Sequence, residues 1–600
     1  MESSTASARR AVGAATMAEA FRLTVEDFPD RVAVRTKDDE ISLTFAELRD
    51  RVDALAGGLA KLGVAKGDTV ALMFANRPEF HIADLAVMTL GATPFSIYST
   101  YSPEQVQYVV QDAGAKVALI EQEHYDQVEG ARKLGMEGFE TIIVLEGAQG
   151  EGSVGWDDVE GSDPDFDAEP HWRDQVTDDF LTLIYTSGTT GPPKGVQLTH
   201  KNLMTAVKYI EDVVSFPDES RVISWLPHAH IAERAAHHYL PIVFGMSVTA
   251  CPNPREIIGF LPAVKPTWFF AVPRIWEKLR GAMLSGVFTP GSEDREHLDA
   301  AIRKVELEQA GEDVPSEVAD TAAKGEEKFA QVRGMLGLDE AVAVNAGAAP
   351  TPPEVITFFH AVGVPLGELW GMSETCGAGT VNPPDKIKIG TVGPPVQGVE
   401  LRIADDGEVL MRSDVVMGGG YRNLPDKTAE AIDDDGWLHT GDIGVIDDDG
   451  YLKIVDRKKE IIINAAGKNM SPANIEATVK SASPLIGNAC CIGDRMPYNT
   501  ALIALDPDFA PAWASQNEIS DTSLDALADD EKIRAELQSA VDSANAKLAR
   551  VEQVKYFTVL GDWQPGGDEL TPTMKLKRKP IAEKYADEIA AMYQKKQKSE

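Results

Sequence analysis

Tyr185-Thr186-Ser187-Gly188-Thr189-Thr190-Gly191-Pro192-Pro193-Lys194-Gly195 follows the apolar run Phe180-Leu181-Thr182-Leu183-Ile184. The run reads as a strand, and the stretch after it as a loop suited to a polyphosphate. Its glycines let backbone N–H groups turn toward oxygen atoms. The hydroxyls of Thr186, Ser187, Thr189 and Thr190 can donate to phosphate or ligate a magnesium ion. Lys194 adds a point charge that can follow the phosphates. The register differs from the P-loop, which sets four residues between its first glycine and Gly-Lys and then requires Ser or Thr. The strand in front and the closing Pro-Pro-Lys-Gly distinguish the loop from a flexible linker.

Working outward, strand and helix patterns alternate. Val32-Ala33-Val34 and Ile41-Ser42-Leu43 predict a hairpin. Thr44 with Glu47 predicts a capping box, and Leu48, Val52, Leu55, Leu59 and Leu62 keep helical spacing. Val70-Ala71-Leu72-Met73 predicts a strand, and the alternation runs past residue 270. The expected fold is α/β: a large N-terminal domain of layered, parallel-rich subdomains with a small β-rich subdomain, followed by a small mobile α+β C-terminal domain. The expected boundaries are a flexible arm at 1–20, the large domain at 21–455, a junction at 456–460 and the last domain at 461–600. Within the large domain, Glu, Lys, Ala and Asp dominate residues 278–340, predicting an exposed helical insertion. Asp-Asp-Gly turns mark the β-rich part at 395–455.

The 600 residues carry 57 Lys and Arg against 95 Asp and Glu, a formal charge of −38. Such a surface repels nucleic acid, so no nucleic-acid partner is expected. Any anionic ligand needs a locally basic site. Cys251, Cys376, Cys490 and Cys491 fit neither a zinc site nor a disulfide framework, which suits a reducing compartment. No secretory leader or membrane-spanning run is apparent, and the expected location is cytoplasmic. Lys575 to Glu600 reverses the overall charge, with eight basic against four acidic residues, and is compatible with weak peripheral contact at the inner membrane face.

Further motifs follow in order. Ser224-Trp225-Leu226-Pro227-His228-Ala229-His230-Ile231-Ala232-Glu233-Arg234 offers two histidines after a strand. Asn345-Ala346-Gly347-Ala348-Ala349-Pro350 is a small-residue bed for a flat base. Trp370-Gly371-Met372-Ser373-Glu374 supplies a stacking surface and a hard oxygen ligand. Asp442 can accept both ribose hydroxyls. Asp456-Arg457 and Pro572-Thr573-Met574-Lys575 complete the series.

Together these segments resemble the adenylate-forming superfamily, from about residue 30 to 585, and within it the long-chain fatty acyl-coenzyme A synthetases. Leu226-Pro227 with Glu233-Arg234, the run Val272-Pro273-Arg274-Ile275-Trp276-Glu277-Lys278 and the helical insertion favour that branch. The resemblance implies ATP-dependent joining of a fatty acid to AMP, release of pyrophosphate, then transfer to coenzyme A. A related alternative delivers the acyl group to a carrier protein.

The resemblance also assigns roles. Lys575, His230 and Glu374 would be catalytic, with Thr186 and Glu374 holding Mg²⁺. Thr186, Ser187, Gly188, Thr189, Thr190, Lys194, Gly347, Ala348, Trp370, Gly371, Ser373, Asp442 and Arg457 would bind nucleotide. Lys459, Gly467 and Lys468 would meet coenzyme A, and Asp456 would be the hinge. Two departures stand out. Tyr is frequent in the family where Trp370 stands, and Gly where Met574 stands.

Overall fold

The computed structural model describes residues 9–186, 192–377, 379–465 and 468–594. The decisive run forms the strand Phe180–Thr186, antiparallel to Lys194–Thr199. The pair closes one edge of a seven-stranded sheet whose other neighbours are all parallel. Thr69–Met73 and Val117–Ile120 in that sheet are buried at every residue. A continuous apolar run is what a parallel strand covered on both faces requires.

A second sheet orders Arg221–Ser224, Ser247–Ala250, Val32–Thr36 and Ser42–Thr44. Its last pair is the expected hairpin, with Val34 opposite Leu43. Thr44 then caps the helix Phe45–Lys61 through the reciprocal box with Glu47. A third sheet orders Trp268–Ala271, Ala343–Ala346, Leu366–Trp370 and Thr380–Val381. One apolar core joins the three sheets.

Two expectations change. Residues 9–20 are packed rather than an arm: Thr16 caps the helix Met17–Asp27, and Met17, Ala20 and Phe21 are fully buried. The helix shows one apolar face, and burial of that face outweighs the small, polar look of the segment. The helical insertion also has a buried side. Its helices Glu293–Gln309, Ser316–Lys324 and Glu326–Met335 send Leu298, Ala322, Phe329 and Val332 into the main core.

The β-rich part is a four-stranded antiparallel sheet of Glu400–Ile403, Glu408–Arg412, Leu438–Ile446 and Leu452–Arg457. Gly407 and Gly450 take φ of 86° and 84° in its hairpin turns, which only glycine adopts at no steric cost. The C-terminal unit has its own core around Ile486–Ile492, Asn499–Leu505 and Val554–Leu560, covered by Pro472–Ser481 and Glu531–Lys547. On the other side of that sheet, Leu502, Trp563, Leu570 and Ile581 pack together and anchor the loop that carries Lys575. The four cysteines are free and buried. Among the described residues no helix is long and apolar enough to cross a membrane.

Candidate active site

A cleft of about 2290 Å³ lies between the large unit and the C-terminal unit. Thr186, Lys194, His230, Ala348, Trp370, Gly371, Ser373, Glu374, Asp442, Asp456, Arg457, Lys459 and Lys575 all line it. Residues more than 380 positions apart in sequence therefore face one space.

The base and sugar positions are tied together. Trp370 ends the strand Leu366–Trp370, and its indole N–H donates to Asp442 Oδ2 at 2.8 Å. Asp442 and Arg457 are register partners on adjacent strands, and Arg457 Nε reaches Asp442 Oδ1 at 2.8 Å. Burial raises the Asp442 pKa, and the Arg457 charge opposes the rise. A carboxylate offers about four acceptor positions, so two remain for ligand hydroxyls. Gly347 is itself buried, where a Cβ would press on Phe270 and Leu369 at 3.0 to 3.1 Å. The next residue, Ala348, takes φ of 68°. A left-handed non-glycine at a ligand-facing turn is strain held by its surroundings.

On the phosphate side, Lys194 and Thr186 are direct register partners, and the Thr186 hydroxyl donates to the Lys194 carbonyl at 3.4 Å. Lys194 Nζ lies 3.8 Å from the centre of the Tyr421 ring. Burial lowers its pKa, and Glu374 partly offsets the shift. The Tyr421 hydroxyl donates to Glu374 Oε1 at 2.7 Å. Among the described residues no other hydrogen bond reaches the Glu374 carboxylate. One carboxylate oxygen and one hydroxyl form a hard-oxygen donor set that fits Mg²⁺ completed by water and phosphate. Ser187, Gly188, Thr189 and Thr190 lie outside the described residues, as does Gly467.

His230 is held by a buried polar scaffold. Its Nδ1 accepts the Ala232 N–H at 3.1 Å and so caps the helix Ile231–Arg234. The proton of the neutral ring therefore sits on Nε2. Burial, with the charge of Lys575 adding, pushes its pKa down to about 3. Behind it, Glu233 accepts from Ser224 Oγ at 2.6 Å and from the Leu226 N–H at 2.9 Å, fixing the loop that leads to His230. Arg234 pairs with Asp84 and donates from Nε to Thr182 Oγ1 at 3.1 Å. A π-helical turn, Ala235–Tyr239, then separates two faces. Ala235, Ala236 and Tyr239 line the cleft, while His237 meets Glu233 and His238 meets Asp84. His228 stays away from the cleft, stacked 3.4 Å from Phe80 in the core.

Lys575 comes from the C-terminal side. Its loop is closed by Thr571, which donates its N–H to the Lys575 carbonyl at 2.8 Å and accepts the Lys575 N–H at its Oγ1 at 3.0 Å. Met574 takes φ of 65° there, a left-handed conformation that glycine adopts without steric cost. Lys575 keeps contact with solvent in the cleft, but protein closes around the ammonium and lowers its pKa. The Arg457 charge lowers it further, while Asp442 and Glu374 act the other way.

Comparison with known proteins places the chain in one family. The profile of AMP-binding enzymes covers residues 21–421, and that of the AMP-binding enzyme C-terminal domain covers 459–597. The chain belongs to the AMP-binding enzyme family. Within the family it is 47% identical over 435 residues to fadD11 of Mycobacterium tuberculosis, which bears the name of a fatty-acid–CoA ligase; the match covers 71% of this chain and 76% of that one. It is 35% identical over 583 residues to the long-chain-fatty-acid–CoA ligase FadD15 of Mycobacterium bovis, covering 95% of each. In fold it is similar to the adenylation domain of a carboxylate reductase from Mycobacterium chelonae, with a TM-score of 0.76 at 19% identity, covering 98% of this chain and 92% of that domain.

For this family member, the structure adds residues that motif reading passed over. Tyr421 connects Glu374 and Lys194 from a segment with no distinctive spacing. Glu368 lines the cleft two residues before Trp370, and burial raises its pKa to about 7. The Thr351 N–H donates to its carboxylate at 2.9 Å. Its one sequence signal was a carboxylate in an otherwise apolar strand, on the face it shares with Leu366 and Trp370. Lys468 is exposed, and the lining of the cleft does not include it.

Proposed function

We propose that the protein activates a long-chain fatty acid with ATP as the acyl-adenylate and transfers the acyl group to coenzyme A, releasing AMP and pyrophosphate. One observation carries this reading: Lys575, Asp442, Glu374 and Lys194 meet in a cleft that also contains an apolar wall. Leu203, Val207, Ile210, Trp225, Tyr239 and Trp268 supply that wall. The likeness to FadD15 supports the acid and the thiol acceptor.

In the first step the acid's carboxylate oxygen attacks the α-phosphorus of ATP, and pyrophosphate leaves. Both reactants are anionic, so the protein's contribution is to align them and neutralise charge. Lys575 would bridge the carboxylate and the α-phosphate. His230 would donate its Nε2 proton in a hydrogen bond to the carboxylate without becoming charged. Lys194 would follow the departing phosphates. Trp370 would stack on the purine and Asp442 would hold the ribose. Thr186 and Glu374 would hold Mg²⁺, whose charge neutralises phosphate oxygens when it is bound.

In the second step the thiol of coenzyme A attacks the acyl carbonyl and AMP leaves. A thiol of pKa about 8.5 supplies enough thiolate without a strong base. Cys376 is buried and donates to the Val415 carbonyl, and burial pushes its pKa up, which keeps it a thiol rather than a nucleophilic thiolate. For the second step the C-terminal unit would turn about Asp456, carrying Lys575 away and bringing Lys459 and its neighbourhood to the site. Asp456 is buried and accepts from Ser471 Oγ at 2.5 Å and the Ala473 N–H at 3.0 Å, so the turn would pivot on a residue anchored to the start of helix Pro472–Ser481.

Fatty-acid-dependent exchange of labelled pyrophosphate into ATP tests the first step. AMP release with coenzyme A, measured across acids of increasing chain length, tests the rest. Exchange without coenzyme A-dependent AMP release would overturn the assignment of the thiol acceptor, and absence of exchange would overturn the whole reading.

A further inference from the structure

We propose that ion pairs between the helix Pro273–Gly286 and the C-terminal unit form a latch that seats Lys575, with Arg274 and Asp506 as its positioning residues. The latch rests on the role given to Lys575 above. The guanidinium of Arg274 contacts Asp506 Oδ2 in a close ion pair, and Lys278 Nζ meets Asp508 Oδ2 at 2.6 Å. Lys480 with Glu277 at 3.8 Å and Lys547 with Glu354 at 3.5 Å join the same two units. All four pairs cross the cleft that holds Lys575.

Burial decides which pair matters. Side-chain exposures are 23% for Arg274 and 4% for Asp506, against 37% and 72% for Lys278 and Asp508. An exposed pair is screened by water and salt and contributes little. A desolvated pair is costly to separate: Arg274 would keep Glu277 at 3.3 Å, but Asp506 would be left as a buried charge without its cation. Among the described residues Arg274 is the one cation that pairs with Asp506.

The pair also has a mechanical path to Lys575. Asp506 follows the strand Asn499–Leu505 and fixes the next turn by accepting the Phe509 N–H at Oδ1, 2.8 Å away. In that strand Leu502 and Ala504 pack with Leu570 and Trp563, the cluster that anchors the Lys575 loop. Arg578, three residues past Lys575, is half-buried and pairs with the buried Glu476 of the same unit at 2.6 Å. Strand, turn and lysine loop thus move as one body, and releasing Asp506 from Arg274 releases Lys575 from the site. The latch favours the arrangement of the first half-reaction and must open before the second.

The test separates the half-reactions in the full-length protein. Arg274→Gln and Asp506→Asn should each lower pyrophosphate exchange about tenfold. Neither should slow thioester formation from supplied acyl-adenylate and coenzyme A. Asn at 506 retains an oxygen for the Phe509 N–H, so the variant keeps its turn. The double variant should be no slower than the slower single, since both remove one interaction. Lys278→Gln should stay within about twofold of the parent. Exchange unchanged in both single variants, or an equal fall in both half-reactions, would overturn the latch alone. Absence of exchange in the parent protein would instead remove the reading on which it stands.

Discussion

On the wall of the cleft built by the large unit, side chains hold one another: Trp370 to Asp442, Asp442 to Arg457, Tyr421 to Glu374. On the opposite wall, Lys575 is restrained mainly by its own loop, through Thr571, and by ion pairs that lie elsewhere on the C-terminal unit. The first wall is fixed by buried hydrogen bonds between strands and loops that share a core. The second can be withdrawn intact, because its core is separate. The proposed two-step reaction would use both properties: a nucleotide platform that stays, and a cation that is present for one step only.

Removing the movable cation should have the largest effect. Lys575→Ala is expected to slow pyrophosphate exchange about 100- to 1,000-fold, the range for deleting one preorganised charge contact. Thioester formation from supplied acyl-adenylate should be unaffected. An equal loss in both assays would show that the two walls do not divide the work in this way.

Disturbing the fixed wall should weaken nucleotide binding instead. Trp370→Phe keeps a stacking ring but leaves Asp442 Oδ2 without its donor, a loss of about 1–3 kcal/mol. We expect KM for ATP to rise roughly tenfold or more, with both half-reactions affected through AMP affinity. A change confined to the first half-reaction would contradict the platform role.

Glu368 reports on the same wall through pH. The folded protein keeps its proton up to about pH 7, whereas an exposed glutamate loses it near 4.5. Between these values the folded state binds the proton and the unfolded chain does not, so stability falls as pH rises through the window. The full shift corresponds to at most about 3 kcal/mol. Thermal unfolding of Glu368→Gln should lack this part of the decline. Identical slopes for the variant and its parent would show that the carboxyl is already ionised.

The smallest effects belong to the turn beside Lys575. Met574→Gly keeps the left-handed turn but relieves its steric cost of about 1 kcal/mol, and should change pyrophosphate exchange no more than about twofold. Met574→Val, β-branched at φ of 65°, should lower it more. The reverse order would mean that the Met574 side chain, not its backbone, serves the site.

Much of the platform was legible before folding, because its parts are local. Phe180 to Thr186 is one strand and Lys194 begins the next, a short distance along the chain, and Trp370 to Glu374 is a strand end and a short turn. The alternation of strand and helix patterns signalled the parallel sheets. The packed start was missed because residues 9–20 are mostly small, with Val12 and Met17 the larger apolar side chains among them, and one buried face decides such a helix. Tyr421 was missed because its meaning lies in what it touches, two segments more than 40 residues away.

Sequence by itself determined which chemistry the chain can perform, since residue type and short-range spacing set the donors, the charges and the order of the motifs. Tertiary structure alone decided which of them act together. Trp370 could have been core packing until its N–H met Asp442, and Arg274 could have been a surface charge until Asp506 closed over it. The physical reason is range: backbone preferences act over a few residues, whereas a buried charge or hydrogen bond takes its strength from groups brought together by burial of the core.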